Sequence, residues 1–225
     1  GHVGERESAG RRGLRGGDQC REDGVDRLVD ELPLCGQRQV GQNGLAEITE
    51  RAMRGELDFR QALNERVATL KGLSESIFDK VYARIHFNKG AKELVDELHA
   101  RGFKVGLVSG GFHETVDRLA AEAGIDYVKA NHLEVVDGVL TGKVYGEIVT
   151  KDVKVAKLKD WAAENGLELS QTIAMGDGAN DLPMIKTAGI GIAFCAKPIV
   201  REQAPYQITE PDLYKVIEIL DEVKK

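Results

Sequence analysis

Gly176-Asp177-Gly178-Ala179-Asn180-Asp181 gathers two carboxylates and an amide into one glycine-rich turn, directly behind the apolar residues 172–175. Hard oxygen donors at that density suit Mg²⁺, which takes one or two carboxylates and keeps several waters. No His or Cys stands among them, so the donor set is not that of a zinc site. Residues 172–175 read as a short buried strand and 182–187 as the start of the helix that follows. Asp177 thus falls at the carboxyl end of a strand, where open α/β sheets bind ligands. The competing reading is ordinary turn chemistry, since Gly and Asn tolerate positive φ and Asp caps helices.

A second candidate is Val108-Ser109-Gly110-Gly111-Phe112, between an apolar strand and a helix. A serine hydroxyl and glycine amides there form an anion cradle facing the same sheet edge as Asp177. The plainer alternative is a serine N-cap. Lys151, Lys154, Lys157 and Lys159 crowd the start of one helix, the electropositive end, where a cation needs an answering anion. A solvated basic face accounts for three of the four. Together, the serine cradle, one lysine and the acidic turn could clamp a phosphoryl group and neutralise charge in its transfer.

The elements that must hold these residues follow from periodicity and punctuation. Residues 46–53 and 59–70 carry apolar side chains at helical spacing, and Ser74 is placed to cap a helix over 77–85. A helix over 92–100 stops at Gly102, and a buried strand over 103–108 follows. Next come a helix over 113–123 ending at Gly124, a strand over 127–130, and a hairpin over 133–149 turning at Asp137-Gly138. A helix over 154–165 with a Gly166 stop precedes the acidic turn. A strand over 190–194 and a final helix from Asp212 complete the chain. This alternation predicts an α/β fold, a doubly wound, mainly parallel, Rossmann-like sheet with a small helical cap. The divisions are 1–44, 45–88 for the cap and 89–225 for the core.

At 225 residues the chain can bury a full core. Its net charge of −6, with no Lys/Arg stripe, argues against nucleic acid. No apolar run approaches the roughly 20 residues of a membrane span, and residues 1–17 lack the apolar centre of a signal peptide. The expectation is a soluble cytoplasmic protein; a homodimer is compatible with it. Cys20, Cys35 and Cys195 lack metal or disulfide spacing, and Cys195 reads as a small core residue. Residues 1–44 differ from the rest: they hold ten of the 26 glycines and no Phe, Tyr or Trp. They read as disordered sequence or as the product of a shifted reading frame.

Ser109-Gly110-Gly111-Phe112, Lys154 and the turn at 176–181 resemble motifs two, three and four of the haloacid dehalogenase superfamily. More narrowly, with residues 46–53, Arg66-Val67 and Ala193-Phe194-Cys195-Ala196-Lys197-Pro198, the chain from about residue 45 resembles the phosphoserine phosphatase family. The resemblance implies a Mg²⁺-dependent phosphomonoester hydrolase acting on phosphoserine in serine biosynthesis. Ser109, Lys154, Asp177 and Asp181 would be catalytic: Ser109 bonds the phosphoryl group beside Gly110 and Gly111, and Lys154 neutralises phosphate and nucleophile. Asp177 would hold the metal, Asp181 support its shell, and Asn180 touch substrate. Arg66 would pair with the substrate carboxylate, and Met53 and Phe59 would close over the site. A guanidinium suits a carboxylate, although a surface helix ion pair is the plainer reading of Arg66.

The family's Asp-x-Asp-x-Thr motif, whose first Asp attacks phosphorus and whose second is the general acid, is absent from this sequence. Family spacing puts its five positions on Arg21-Glu22-Asp23-Gly24-Val25. A second reading is therefore a phospho-ligand-binding protein without the nucleophile. A dinucleotide-binding oxidoreductase fits less well: Asp181 stands where the fingerprint after Gly176-x-Gly178 requires a small residue.

Overall fold

The computed structural model describes residues 47–52 and 54–223. The readings placed on residues 1–44, on Ala46 and on Met53 lie outside these, as do Cys20 and Cys35.

Residues 47–52 are helical. Helix α1 (Phe59–Ala68) starts in a capping box, in which Asp58 accepts from the Gln61 amide and the Gln61 side chain accepts from the Asp58 amide. It is followed by α2 (Ile77–Tyr82). Ser74 does not cap α2: its hydroxyl accepts from the amide and hydroxyl of Ser76, which holds the cap position without a side-chain cap bond. Next come α3 (Ala91–Ala100), β1 (Gly106–Phe112), α4 (His113–Ala123), β2 (Tyr127–Val136) and β3 (Val139–Tyr145). Asp137 and Gly138 have φ of 52° and 75°, the pair of positive values that a tight hairpin requires. The chain ends with α5 (Lys151–Glu164), β4 (Ile173–Gly176), α6 (Leu182–Thr187), β5 (Ile190–Phe194), α7 (Pro198–Arg201), β6 (Tyr206–Ile208) and α8 (Val216–Val223). Asp212 opens a 3-10 turn at Leu213–Lys215 ahead of α8. Among the described residues no helix is long and apolar enough to cross a membrane.

The fold is α/β and its ladders are parallel, except for the antiparallel pair of β2 and β3. Among the described residues they form two three-stranded sheets, β1-β2-β3 and β4-β5-β6. This arrangement explains a difference in burial. β5, paired on both edges, buries its three central residues, whereas β4 buries only Ala174, and Leu107 and Val108 of β1 are half-buried rather than buried. The first strand also starts at Gly106 instead of residue 103. Val105 is engaged instead with Asp126, donating its amide to the carboxylate and accepting from the Asp126 amide.

Strand β2 is one continuous element that serves two partners. Its first half runs parallel to β1 and its second half antiparallel to β3. Beyond that changeover the hairpin packs with α1 and α2, in a cluster of Leu63, Val67, Leu70, Phe78, Val81, Leu133 and Leu140. A second cluster joins α3 and α8 to β5 and β6 through Leu94, Leu98, Ile192, Ile208, Ile217 and Leu220. Phe112, at the end of β1, belongs to the first cluster and is 1% exposed, so the chain just after Ser109 is anchored by the hairpin layer.

Candidate active site

The acidic turn is built around Asp181. Its carboxylate is buried and points back from the start of α6 instead of capping that helix. One oxygen, Oδ2, accepts from the amides of Gly178 (3.0 Å) and Asp177 (3.2 Å). The other, Oδ1, meets the Lys154 ammonium at 2.5 Å, with both side chains under a tenth exposed. Lys154 is thereby singled out from its neighbours: Lys157 pairs with Asp160 at 2.8 Å within the helix, and Lys151 and Lys159 are exposed. Helix α5 begins at Lys151, earlier than periodicity predicts, because Thr150 caps it through the Val153 amide. That start puts Lys154 about one turn in.

The glycines serve close approach, not left-handed backbone. Gly176 and Gly178 are outside the set of positive-φ residues, but a Cβ on Gly176 would sit 2.4 Å from the Asp181 Cβ. One on Gly178 would sit 2.4 Å from the Asn180 amide oxygen. Asp177 is exposed at the carboxyl end of β4. Its backbone is fixed from both sides, by the carboxylate of Asp181 and by the Lys197 amide, which donates to the Asp177 carbonyl at 3.1 Å. Lys197 reaches it because Cys195, at the end of β5, adopts φ of 44°. Cys195 is therefore a half-exposed turn residue and not the core residue that its apolar neighbours suggest.

Ser109 is buried, and its Oγ accepts from the Gly111 amide at 3.0 Å. It is not the helix cap, a position held by Phe112 without a side-chain bond. The cradle is narrower than expected, since the Gly111 amide is turned onto the serine oxygen. Around it the β1–β2 register slips: Val108 pairs with Lys129, and Phe112 with Asn131, leaving residues 109–111 bulged opposite one residue of β2. Phe59, 48% exposed, and Arg66, half-buried, lie on α1, which packs against β3. Met53 is outside the described residues. Two open concavities of about 370 and 240 Å³ are lined by none of these residues.

The family model described as haloacid dehalogenase-like hydrolase matches residues 22–186. The phosphoserine phosphatase of Streptococcus thermophilus is 89% identical over 200 residues, spanning 88% of this chain and 93% of the relative. The chain belongs to the phosphoserine phosphatases, hydrolases of the haloacid dehalogenase superfamily. Solved structures agree. A probable phosphoserine phosphatase from Vibrio cholerae is 41% identical with a TM-score of 0.82, covering 88% of this chain and 60% of that one. A phospho-aspartyl intermediate analogue of phosphoserine phosphatase is 40% identical with a TM-score of 0.75, covering 87% and 90%.

The structure brings Lys154, Asp181 and the Asp177 and Gly178 amides together, while Ser109 stands at the end of β1, among the described residues a strand of the other sheet. Among the described residues no three His, Cys, Asp or Glu side chains cluster as a metal cage. A site with a single exposed carboxylate beside a saturated one fits Mg²⁺, which completes its shell with water and substrate phosphate oxygens. Sequence reasoning missed Asn131, a buried polar residue at the edge of the serine bulge. The signal was present: Ala130-Asn131-His132-Leu133 interrupts an apolar strand with a polar pair.

Proposed function

We propose that this chain is a Mg²⁺-dependent phosphomonoesterase that converts O-phosphoserine and water to serine and phosphate. The observation that carries the reading is the buried Lys154–Asp181 pair, whose carboxylate also holds the Asp177 and Gly178 amides. It fixes a cation beside the exposed Asp177 at a strand end, the arrangement a phosphoryl group needs. Ser109 and Gly110 would bind the phosphoryl oxygens and Lys154 would offset their charge. Asp177 would hold the metal, which supplies Lewis-acid stabilisation of the phosphate when bound. Asn180 would contact substrate from above Gly178, and Arg66 would take the substrate carboxylate, with Phe59 and Met53 covering the site.

The reaction proposed is double displacement through an aspartyl phosphate, the intermediate whose analogue the 40% identical phosphoserine phosphatase structure holds. In that reaction the first Asp of Asp-x-Asp-x-Thr, a motif that residues 1–44 do not carry, forms the bond to phosphorus while the bond to the serine oxygen breaks and the second Asp gives that oxygen its proton. Water then hydrolyses the acyl phosphate. The test is Mg²⁺-dependent release of phosphate from O-phosphoserine, abolished by Asp177→Asn; a verified, folded preparation without release counts against the reading.

One observation favours a second reading, a phosphoserine-binding protein without turnover: Arg21 stands where family spacing places the nucleophilic Asp. A thermal shift with phosphoserine but no phosphate release selects it. We propose further that residues 1–44 stem from a shifted reading frame; resequencing the gene across residue 44 and finding residues 1–44 encoded in frame overturns this.

A further inference from the structure

Asn131 is a polar side chain, 1% exposed, in the middle of β2. Its amide nitrogen donates to the Gly110 carbonyl at 2.8 Å, and its oxygen accepts from the Val149 amide at 2.8 Å. Only one orientation of the side-chain amide satisfies both contacts, because the two partners are a carbonyl and an N–H. Gly110 lies in the bulge that carries Ser109. Val149 immediately precedes Thr150, the cap of the helix that carries Lys154.

The contacts sit where the ladder cannot. Between Val108 and Phe112 the strand leaves register, so residues 109–111 lose regular pairing with β2. The backbone of β2 is bonded here by side chains of α4: His113 Nε2 accepts from the Ala130 amide at 3.0 Å, and Glu114 accepts from the Leu133 amide at 3.1 Å. Asn131, between them, reaches across the bulge to the segment after β3. Its side chain ties the serine turn directly to the approach of the lysine helix.

We propose that Asn131 is a positioning residue that sets the distance between the Ser109–Gly110–Gly111 turn and Lys154, and so tunes phosphate binding without touching phosphate. This inference rests on the phosphate-binding role assigned above to Ser109 and Lys154. Asn131→Asp keeps the shape, but an ionised carboxylate accepts from Val149 and presents an anion to the Gly110 carbonyl. Protonation restores the donor.

The test measures binding of inorganic phosphate with Mg²⁺ to the full chain, in wild type and variants, at pH 8 and pH 5.5. The expected result is Asn131→Asp weakened about ten- to a hundredfold relative to wild type at pH 8, with most of the deficit recovered at pH 5.5. Asn131→Ser, without a carboxylate to bury, should be weakened at both pH values with no recovery. His113 and Glu114, which face β2 beside position 131, are common to all three proteins, so the ratio to wild type isolates position 131. Thermal melts at each pH confirm folding, and hydrogen exchange should rise at the Gly111 amide in both variants and at the Val149 amide in Asn131→Ser, because the carboxylate of Asn131→Asp still accepts from Val149. Folded variants with wild-type affinity at both pH values, or an Asn131→Ser variant with wild-type exchange at both amides, overturn the proposal. Wild type that binds no phosphate, with exchange still responding at both amides, instead overturns the phosphate-binding role of the turn and the proposal with it; exchange then records only a structural tie.

Discussion

Lys154 Nζ lies 2.5 Å from Asp181 Oδ1, in a contact under a tenth exposed on either side. The pair is asymmetric, because Asp181 keeps two backbone amides when the lysine is lost, whereas Lys154 loses its carboxylate entirely when Asp181 is lost. Stranding one member of a buried pair costs about 3–5 kcal/mol. Asp181→Ala should sit at the top of that range and Lys154→Met at or below its bottom. Lys154→Met combined with Asp181→Leu should recover part of the stability but no phosphate binding. Urea denaturation checks the order; equal losses in the two single variants would show that the amides do not share the carboxylate.

Gly176 and Gly178 separate stability from substrate contact. A methyl on Gly176 collides with Asp181 Cβ, close to the backbone and unable to yield without moving the whole carboxylate. A methyl on Gly178 meets the far end of the exposed Asn180 side chain, which can swing away. Gly176→Ala should therefore destabilise by about 1–3 kcal/mol and abolish phosphate binding. Gly178→Ala should cost well under 1 kcal/mol and affect only the contact made by Asn180. Denaturation midpoints and phosphoserine affinity measured on both variants distinguish the two effects.

The acidic turn was legible because its function needs particular atoms in consecutive positions, and a strand, a carboxylate and a helix start are each local signals. The residues 182–187 and 113–123 form helices as their periodicity predicts, and Gly124 ends the second with φ of 77°. What periodicity could not show was the reason for Gly176 and Gly178, since close approach depends on where Asp181 folds back. Nor could it show that β2 is one strand. Its alternation breaks at Asn131-His132, where the strand changes partners, and the break resembles a loop. The three-residue β6 and four-residue α7 are too short to carry a period, and both exist through packing on β5.

Asp126 gives the fold an acid limb away from the site. Burial alone would push its carboxyl up, but the Val105 amide, His99 and Lys104 together hold it down to about 2. The sign follows from that depression: the stability it contributes is present above the ordinary value of 3.8 and is lost as pH falls through about 2. Asp126→Asn should lower Tm at pH 7 by roughly 3–6 °C, from about 1.5 kcal/mol of charge-assisted hydrogen bonding. Between pH 4 and pH 2 the variant should also lose less stability than wild type. Melting curves across that window check it, and parallel slopes for the two proteins would remove Asp126 as the cause.

Cys195 holds a left-handed backbone that a side chain with a Cβ adopts only at a cost of roughly 1–2 kcal/mol. The conformation is imposed from both sides. The Cys195 amide donates to the Ile208 carbonyl at 2.7 Å, closing β5 onto β6, and two residues later the Lys197 amide must reach the Asp177 carbonyl. The thiol lies 3.8 Å from the Thr209 carbonyl. Asn tolerates this region better than Cys, and a β-branched residue tolerates it worse. Cys195→Asn should therefore stabilise the protein by about 1 kcal/mol, and Cys195→Val should destabilise it by at least as much. Because the same turn fixes the Asp177 backbone, Cys195→Val should also weaken Mg²⁺-dependent phosphate binding, while Cys195→Asn leaves it intact. Denaturation and binding measured on both variants test the link; a Val variant as stable as wild type would mean that the turn relaxes out of positive φ without cost.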